Sequence, residues 1–177
     1  PQQALPDDSN WTGAEIRSLS GHASSVYEVV FSADGAWLAS GSTDKTAKIW
    51  NPATGSVVHT LKGHSNSISQ IAFSPNGTQV ATSSYDYTAK IWNLPSGTLH
   101  QTLAGHANSV NSLAFSPDGS RLLTASYDQT VKIWHLQAGA EAPTLTGHEG
   151  GINYVAFSPD GRQMATASDD QTAKIGI

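Results

Sequence analysis

The chain has 177 residues, enough for one domain that buries most of its apolar surface and too few for two ordinary ones. Its formal charge of −5, from 14 acidic and 9 basic residues, opposes a phosphate lattice, so nucleic acid is not an expected partner. Without cysteine it has no disulfide framework or thiolate metal site, and no apolar run approaches the ~20 residues of a membrane-spanning helix, so no membrane association is expected.

Residues 1–13 read as an N-terminal extension, and Pro1 to Asn10 lacks the basic start and apolar centre of a secretory signal. That favours a soluble chain, mature or trimmed, and the cytoplasm over export, with the compartment left open. Ala14 to Leu19 reads as a strand. Gly21-His22 then opens a pattern that returns at Gly63-His64, Gly105-His106 and Gly147-His148, a constant step of 42 residues. Repeats therefore start near residues 21, 63, 105 and 147.

Every repeat runs through the same elements. An alternating apolar run, such as Val110 to Phe115, ends in a four-residue turn: Ser32-Ala33-Asp34-Gly35, Ser74-Pro75-Asn76-Gly77, Ser116-Pro117-Asp118-Gly119 or Ser158-Pro159-Asp160-Gly161. Pro presets φ there, Asp or Asn bonds locally, and Gly accepts positive φ. A second run, such as Arg121 to Ser126, leads to a short polar turn around Asp44, Asp86, Asp128 or Asp170. The third strand, as in Val131 to Trp134, ends at Trp50, Trp92 or Trp134, with Gly176 in that place in the last repeat. A Gly-containing link such as Pro95-Ser96-Gly97 leads to a fourth strand, Val57 to Leu61 or Leu99 to Leu103. The expected unit is four antiparallel strands, and the class is all-β.

Gly-His, the Ser-Pro-Asp-Gly turn, then Asp and Ile-Trp at this period resemble WD40 repeats, over about residues 14–177. One departure is that Asn51, Asn93 or His135 follows Trp where the family carries Asp. The resemblance implies a WD40-type β-propeller with four four-stranded blades per chain. It also implies a hydrogen-bonded tetrad in each blade: His22, Ser40, Asp44 and Trp50; His64, Thr82, Asp86 and Trp92; His106, Thr124, Asp128 and Trp134; and His148, Thr166 and Asp170 without a tryptophan.

Hydroxyl, imidazole and carboxylate are also the parts of a nucleophilic triad. A set that recurs four times within sheets is better read as structural, because these buried groups satisfy one another. Ser40, Thr82, Thr124 and Thr166 are preferred over Ser42 and its equivalents, since pairing across the Asp turn brings them near Trp. The blade with Gly176 is expected to be the weakest. His59, His100 and His135 read as exposed. No lone acid or base, metal cluster or phosphate-cradling loop stands out, so neither an enzyme nor a cofactor nor a metal is expected.

Ala14 to Leu19 is a fourth strand without a blade, and Thr172 to Ile177 a third strand with no fourth to follow. Four blades closing alone must each fan through ~90°, against ~45° for eight. The expectation is a C2 homodimer forming one eight-bladed ring, with strand 14–19 of each chain completing the partner's last blade by strand exchange. The competing account is half of a longer natural chain.

Recognition is expected on the loop-lined faces or at the channel mouth, where the repeats differ from one another. Tyr27, Tyr85, Tyr87, Tyr127 and Tyr154 form the candidate contact set for a protein or peptide partner of unknown identity. Against this stands the reading that they only shield blade edges and cap turns. Lys45 and Glu28 read as solvated surface charges. The leading function is a non-catalytic interaction scaffold. The alternatives are a self-assembling structural half-propeller, natural fragment or engineered, with no specific ligand, and a lectin-like propeller for a glycan or small ligand.

Overall fold

The computed structural model describes residues 17–136 and 140–176. The first sheet joins β1 (Val26–Phe31), β2 (Leu38–Ser42), β3 (Thr46–Asn51) and β4 (Ser56–Lys62) in that order, all antiparallel. The second repeats it with β5 (Ile68–Phe73), β6 (Gln79–Ser84), β7 (Thr88–Asn93) and β8 (Thr98–Ala104). The third contains β9 (Val110–Phe115), β10 (Arg121–Ser126), β11 (Val131–His135) and β12 (Ala140–Leu145). The fourth has only β13 (Ile152–Phe157), β14 (Met164–Ser168) and β15 (Ala173–Gly176). Among the described residues three blades thus have four strands and the fourth has three, β15 being the third strand expected over Thr172 to Ile177.

Turn chemistry sets each hairpin. Between β1 and β2 the Gly35 amide donates to Ser32 O at 2.8 Å, and the Trp37 amide to Ser32 Oγ at 2.9 Å. Ser32 Oγ–H in turn donates to Asp34 Oδ1 at 2.6 Å. Gly35 sits at φ 70°, a conformation its missing Cβ permits. The turn around each tetrad Asp is less forgiving: Lys45, Tyr87, Gln129 and Gln171 all hold φ between 68° and 72°. There the Lys45 amide bonds Ser42 O, closing a tight turn whose last residue is left-handed.

The blades stack through their first strands, β1 beside β5, β5 beside β9 and β9 beside β13. Small residues on the trailing face of one blade meet branched ones on the leading face of the next. Ala39, Ala47 and Ile49 share a core cluster with Ile68 and Ile71; Ala81, Ala89 and Ile91 share one with Leu113; Leu123, Ala125 and Val131 share one with Ile152 and Val155. At the two ends of the stack the same faces are bare. Val29 is 61% exposed where Ile71 is 1%, and Ile175 is 72% exposed where Ile49 is 0%.

The strand expected over 14–19 falls largely outside what the structure describes. Residues 14–16 lie outside the described residues, and residues 17–20 are irregular. Arg17 Nη1 donates to Ala53 O at 2.5 Å in the turn between β3 and β4. The open outer edge is β15, on the fourth blade, whereas Arg17 is held at the first.

Candidate functional site

In each complete blade a relay of hydrogen bonds links the outer part of the sheet to the loop before its first strand. Trp50 Nε1–H donates to Ser40 Oγ at 2.8 Å, and His22 Nε2 lies 2.7 Å from the same oxygen. His22 Nδ1 is 2.8 Å from Asp44 Oδ2. The direction of the relay follows from donor chemistry. An indole can only donate, so the hydroxyl accepts from it and keeps its own hydrogen available for Nε2; that arrangement leaves a ring proton on Nδ1 facing the carboxylate.

The second and third blades repeat the arrangement. His64 Nδ1 lies 2.7 Å from Asp86 Oδ2, His64 Nε2 2.8 Å from Thr82 Oγ1, and Trp92 donates to that oxygen at 3.0 Å. His106, Asp128, Thr124 and Trp134 match with distances of 2.8, 2.8 and 2.9 Å. In the fourth blade His148 keeps Asp170 at 2.7 Å and Thr166 at 2.7 Å, but Gly176 offers no indole. A cavity of about 200 Å³ lies beside Thr166, His148 and Gly176.

Each carboxylate is held ionised by several donors. Burial pushes Asp86 up, but the Thr88 hydroxyl, the Ser65 amide and the His64 imidazole outweigh it and hold it below the carboxylate range. Asp44 and Asp128 follow the same balance; in Asp170 the Thr172 hydroxyl leads, ahead of a smaller upward effect of burial. Burial pulls the His64 imidazole below its ordinary value of 6.5, more than Asp86 raises it. The hydroxyls that would act as nucleophiles are sealed, Ser40 being 3% exposed and Thr82 0%. Ser42 serves differently: its oxygen accepts from the Asp44 amide at 3.0 Å and its hydroxyl reaches Ser24 O.

The candidate contact tyrosines are 38–61% exposed. Burial, and to a lesser degree the phenolates of Tyr127 and Tyr27, raise the Tyr85 phenol above 10. Tyr127 packs on Gly151 of the following blade. Tyr27 and Tyr154 line an open cleft of about 290 Å³ together with Glu28, Ser69, Gln70 and Asn111. Tyr85, Tyr87 and Tyr127 do not line that cleft.

Two residues depart from the sequence reading. Glu28 is not a solvated charge: it is half-buried, and its Oε2 accepts the Ile71 amide of the next blade at 3.0 Å. Burial raises its carboxyl above 4.5 despite that bond and another from Gln70. His59 is half-buried and closes on Gly97 of the next blade.

Glu28 belongs to a set that sequence reasoning missed. Gln70 Oε1 accepts the Leu113 amide at 2.7 Å, and Ser112 Oγ the Val155 amide at 3.2 Å. The preceding residues are bulged out of their strands, which turns their side chains to the neighbouring blade. Ser69 Oγ–H donates to Val110 O at 2.5 Å and Asn111 Nδ2–H to Ile152 O at 3.0 Å. The signal was present in phase, since Glu28, Gln70 and Ser112 all carry acceptors 42 residues apart.

The family model described as WD domain, G-beta repeat, matches residues 13–51, 55–93, 97–135 and 139–175. Among curated proteins, the vegetative incompatibility protein HET-E-1 of Podospora anserina is 51% identical over 47 residues, 27% of this chain and 3% of that protein. The small ribosomal subunit protein RACK1 of Caenorhabditis elegans is 46% identical over 46 residues, 26% of this chain and 14% of that protein. Protein Mut11 of Chlamydomonas reinhardtii is 54% identical over 37 residues, 21% of this chain and 10% of that protein. The matched stretches therefore span a small part of each relative.

Proposed function

We propose, from the premise that this chain belongs to the WD40 family of WD domain, G-beta repeats, that it is a non-catalytic scaffold binding a protein or peptide at its rim and channel mouth. The observation that carries this reading is the contrast between sealed tetrads and an exposed tyrosine rim. Tyrosine offers a large amphipathic contact area at low entropic cost, which suits it to recognition. The four left-handed residues beside the tetrad aspartates store backbone strain on the same turns, and strain of this kind collects at functional sites. The negative charge favours a protein partner over nucleic acid. No helix of the described residues is long and apolar enough to cross a membrane.

The test is capture of a partner on the immobilised chain, repeated with Tyr85→Ala and Tyr127→Ala. The expected result is loss of the retained protein while both variants stay folded; full retention by both variants overturns the rim reading. Binding to a glycan array without a protein partner would favour the lectin-like alternative.

The reading extends to assembly: two chains close into one eight-bladed ring, strand 14–19 of each completing the last blade of the other. A side-chain ladder supports it. Lys48 Nζ donates to Thr60 Oγ1 at 3.0 Å, Lys90 to Thr102 at 3.0 Å and Lys132 to Thr144 at 2.9 Å, each joining the third strand to the fourth. Ser18 stands 42 residues before Thr60, and Leu19 as far before the buried Leu61, so this segment carries the hydroxyl and apolar group that Lys174 and the fourth blade call for. A solution mass of one chain by light scattering contradicts the ring, whereas a tight dimer without any ligand would favour pure self-assembly.

A further inference from the structure

The blade joints within the chain are written in one code, and it can be followed to the ends of the stack. Its first part is size. Ile68 presses on Gly41 so closely that a Cβ there would lie 2.8 Å from it. The equivalent pairs are Ser83 with Val110 and Ala125 with Ile152, all buried. Carried on by 42 residues, the trailing member is Ala167; carried back, the leading member is Val26. Both are exposed in the single chain. Ala against Val is the same small-on-branched match, and Ala165, Ala173 and Ile175 around Ala167 face open solvent just as Val29 does. The occupant that fits the trailing face of the fourth blade is therefore the leading face of the first blade of a second copy.

The second part of the code is polar, and there the chain-to-chain joint differs from the others. Each internal joint has a side chain of the leading strand accepting the amide one blade on: Glu28 takes Ile71, Gln70 takes Leu113, Ser112 takes Val155. The next acceptor in phase is Tyr154, and the amide awaiting it is that of Val29 in the second copy. A phenol places its only oxygen at the end of a rigid ring, beyond the two to four bonds over which Ser, Gln and Glu reach a neighbouring strand. Tyr154 is instead exposed and lines the open cleft together with Tyr27. Asn153, whose counterpart Asn111 donates to a carbonyl of the next blade, donates here to Asp169 Oδ1 at 2.5 Å.

We propose that Tyr154 sets the strength of the joint between two copies, which close face to face through Ala167 and Val26 but without the amide bond that latches every internal joint. The joint is thereby the place where the ring opens and exchanges halves, while the blades within a chain stay together. This inference rests on the two-chain ring reading above.

The experiment compares the chain with its Tyr154→Gln and Tyr154→Ser variants, which copy Gln70 and Ser112, by sedimentation across a wide concentration range. Because a two-chain ring has two such joints, the dimer dissociation constant should fall by at least about fivefold in the Gln variant. Melting of the isolated chain should not change, since residue 154 is solvent-facing. Equal dissociation constants for all three proteins overturn the role of Tyr154 and leave the ring standing. Ala167→Arg separates the two readings: if its dimer persists, or if all proteins remain single chains, the ring reading falls and the inference with it.

Discussion

Trp134 donates its indole N–H to the Thr124 hydroxyl over 2.9 Å, and that hydroxyl has one hydrogen left, which goes to His106. In the fourth blade Thr166 makes only the second of these bonds, because residue 176 is glycine. The pair of threonines therefore measures what the indole contributes. Thr124→Val strands two buried groups and should cost about 2–3 kcal/mol, whereas Thr166→Val strands one and should cost about 1 kcal/mol. Urea denaturation of both variants checks this, and equal losses would contradict it.

Removing the carboxylate tests the other end of the relay. Asp86 accepts from His64 Nδ1, the Ser65 amide, the Thr88 amide and the Thr88 hydroxyl. Asp86→Ala should destabilise by about 1–3 kcal/mol, more than one net hydrogen bond of ~0.5–1.5 kcal/mol. A loss no larger than that of the exposed control Lys62→Ala would argue against a structural role.

Acid should loosen the tetrads in two stages. His64 titrates below its ordinary 6.5 because burial outweighs the pull of Asp86, so its contribution is complete above 6.5 and is lost as pH falls through the lower folded value. Asp86 titrates below 3.8, so its contribution is complete above 3.8 and disappears only as pH falls further. Imidazole ¹⁵N shifts at pH 6.5 should report a mostly neutral His64 with its proton on Nδ1. A charged ring at that pH would remove the physical basis of the relay.

Glu28 carries the opposite sign. Its carboxyl titrates above 4.5 in the folded chain, chiefly through burial, so its contribution is complete below 4.5 and falls away as pH rises through the folded value. Glu28→Gln keeps an acceptor for the Ile71 amide, as Gln70 does for Leu113, and removes the charge. Melting at pH 7 should rise by a degree or two, with little gain at pH 4; a loss at pH 7 would show that the charge itself is needed.

The left-handed turn residues offer a stabilising change. Gln129 sits at φ 70°, where glycine has no steric penalty. Gln129→Gly should stabilise by about 0.5–1 kcal/mol, offset slightly by the entropy of the unfolded chain. Calorimetry on this variant gives the answer directly, and a destabilised protein would mean that the Gln129 side chain has a role of its own.

The repeat and the hairpins follow from local chemistry, and the tetrad from the resemblance to WD40 repeats. A 42-residue period with Ser-Pro-Asp-Gly turns leaves few ways to pair adjacent runs, and pairing across a short turn brings Ser40 opposite Lys48 and within reach of Trp50. The left-handed Lys45, Tyr87, Gln129 and Gln171 gave no such warning, because these residue types do not advertise positive φ. Glu28 was misread for a different reason: on its own strand nothing marks it, and its partner is a main-chain amide 43 residues away.

What the sequence determined by itself is strand order and turns, settled between residues that are near neighbours along the chain, while the buried polar quartet was what the family resemblance implied. What only the tertiary structure decided is how blade meets blade. Those joints bind side chains to backbone groups of another sheet, and main-chain amides are identical at every position, so no residue type announces which of them will be met.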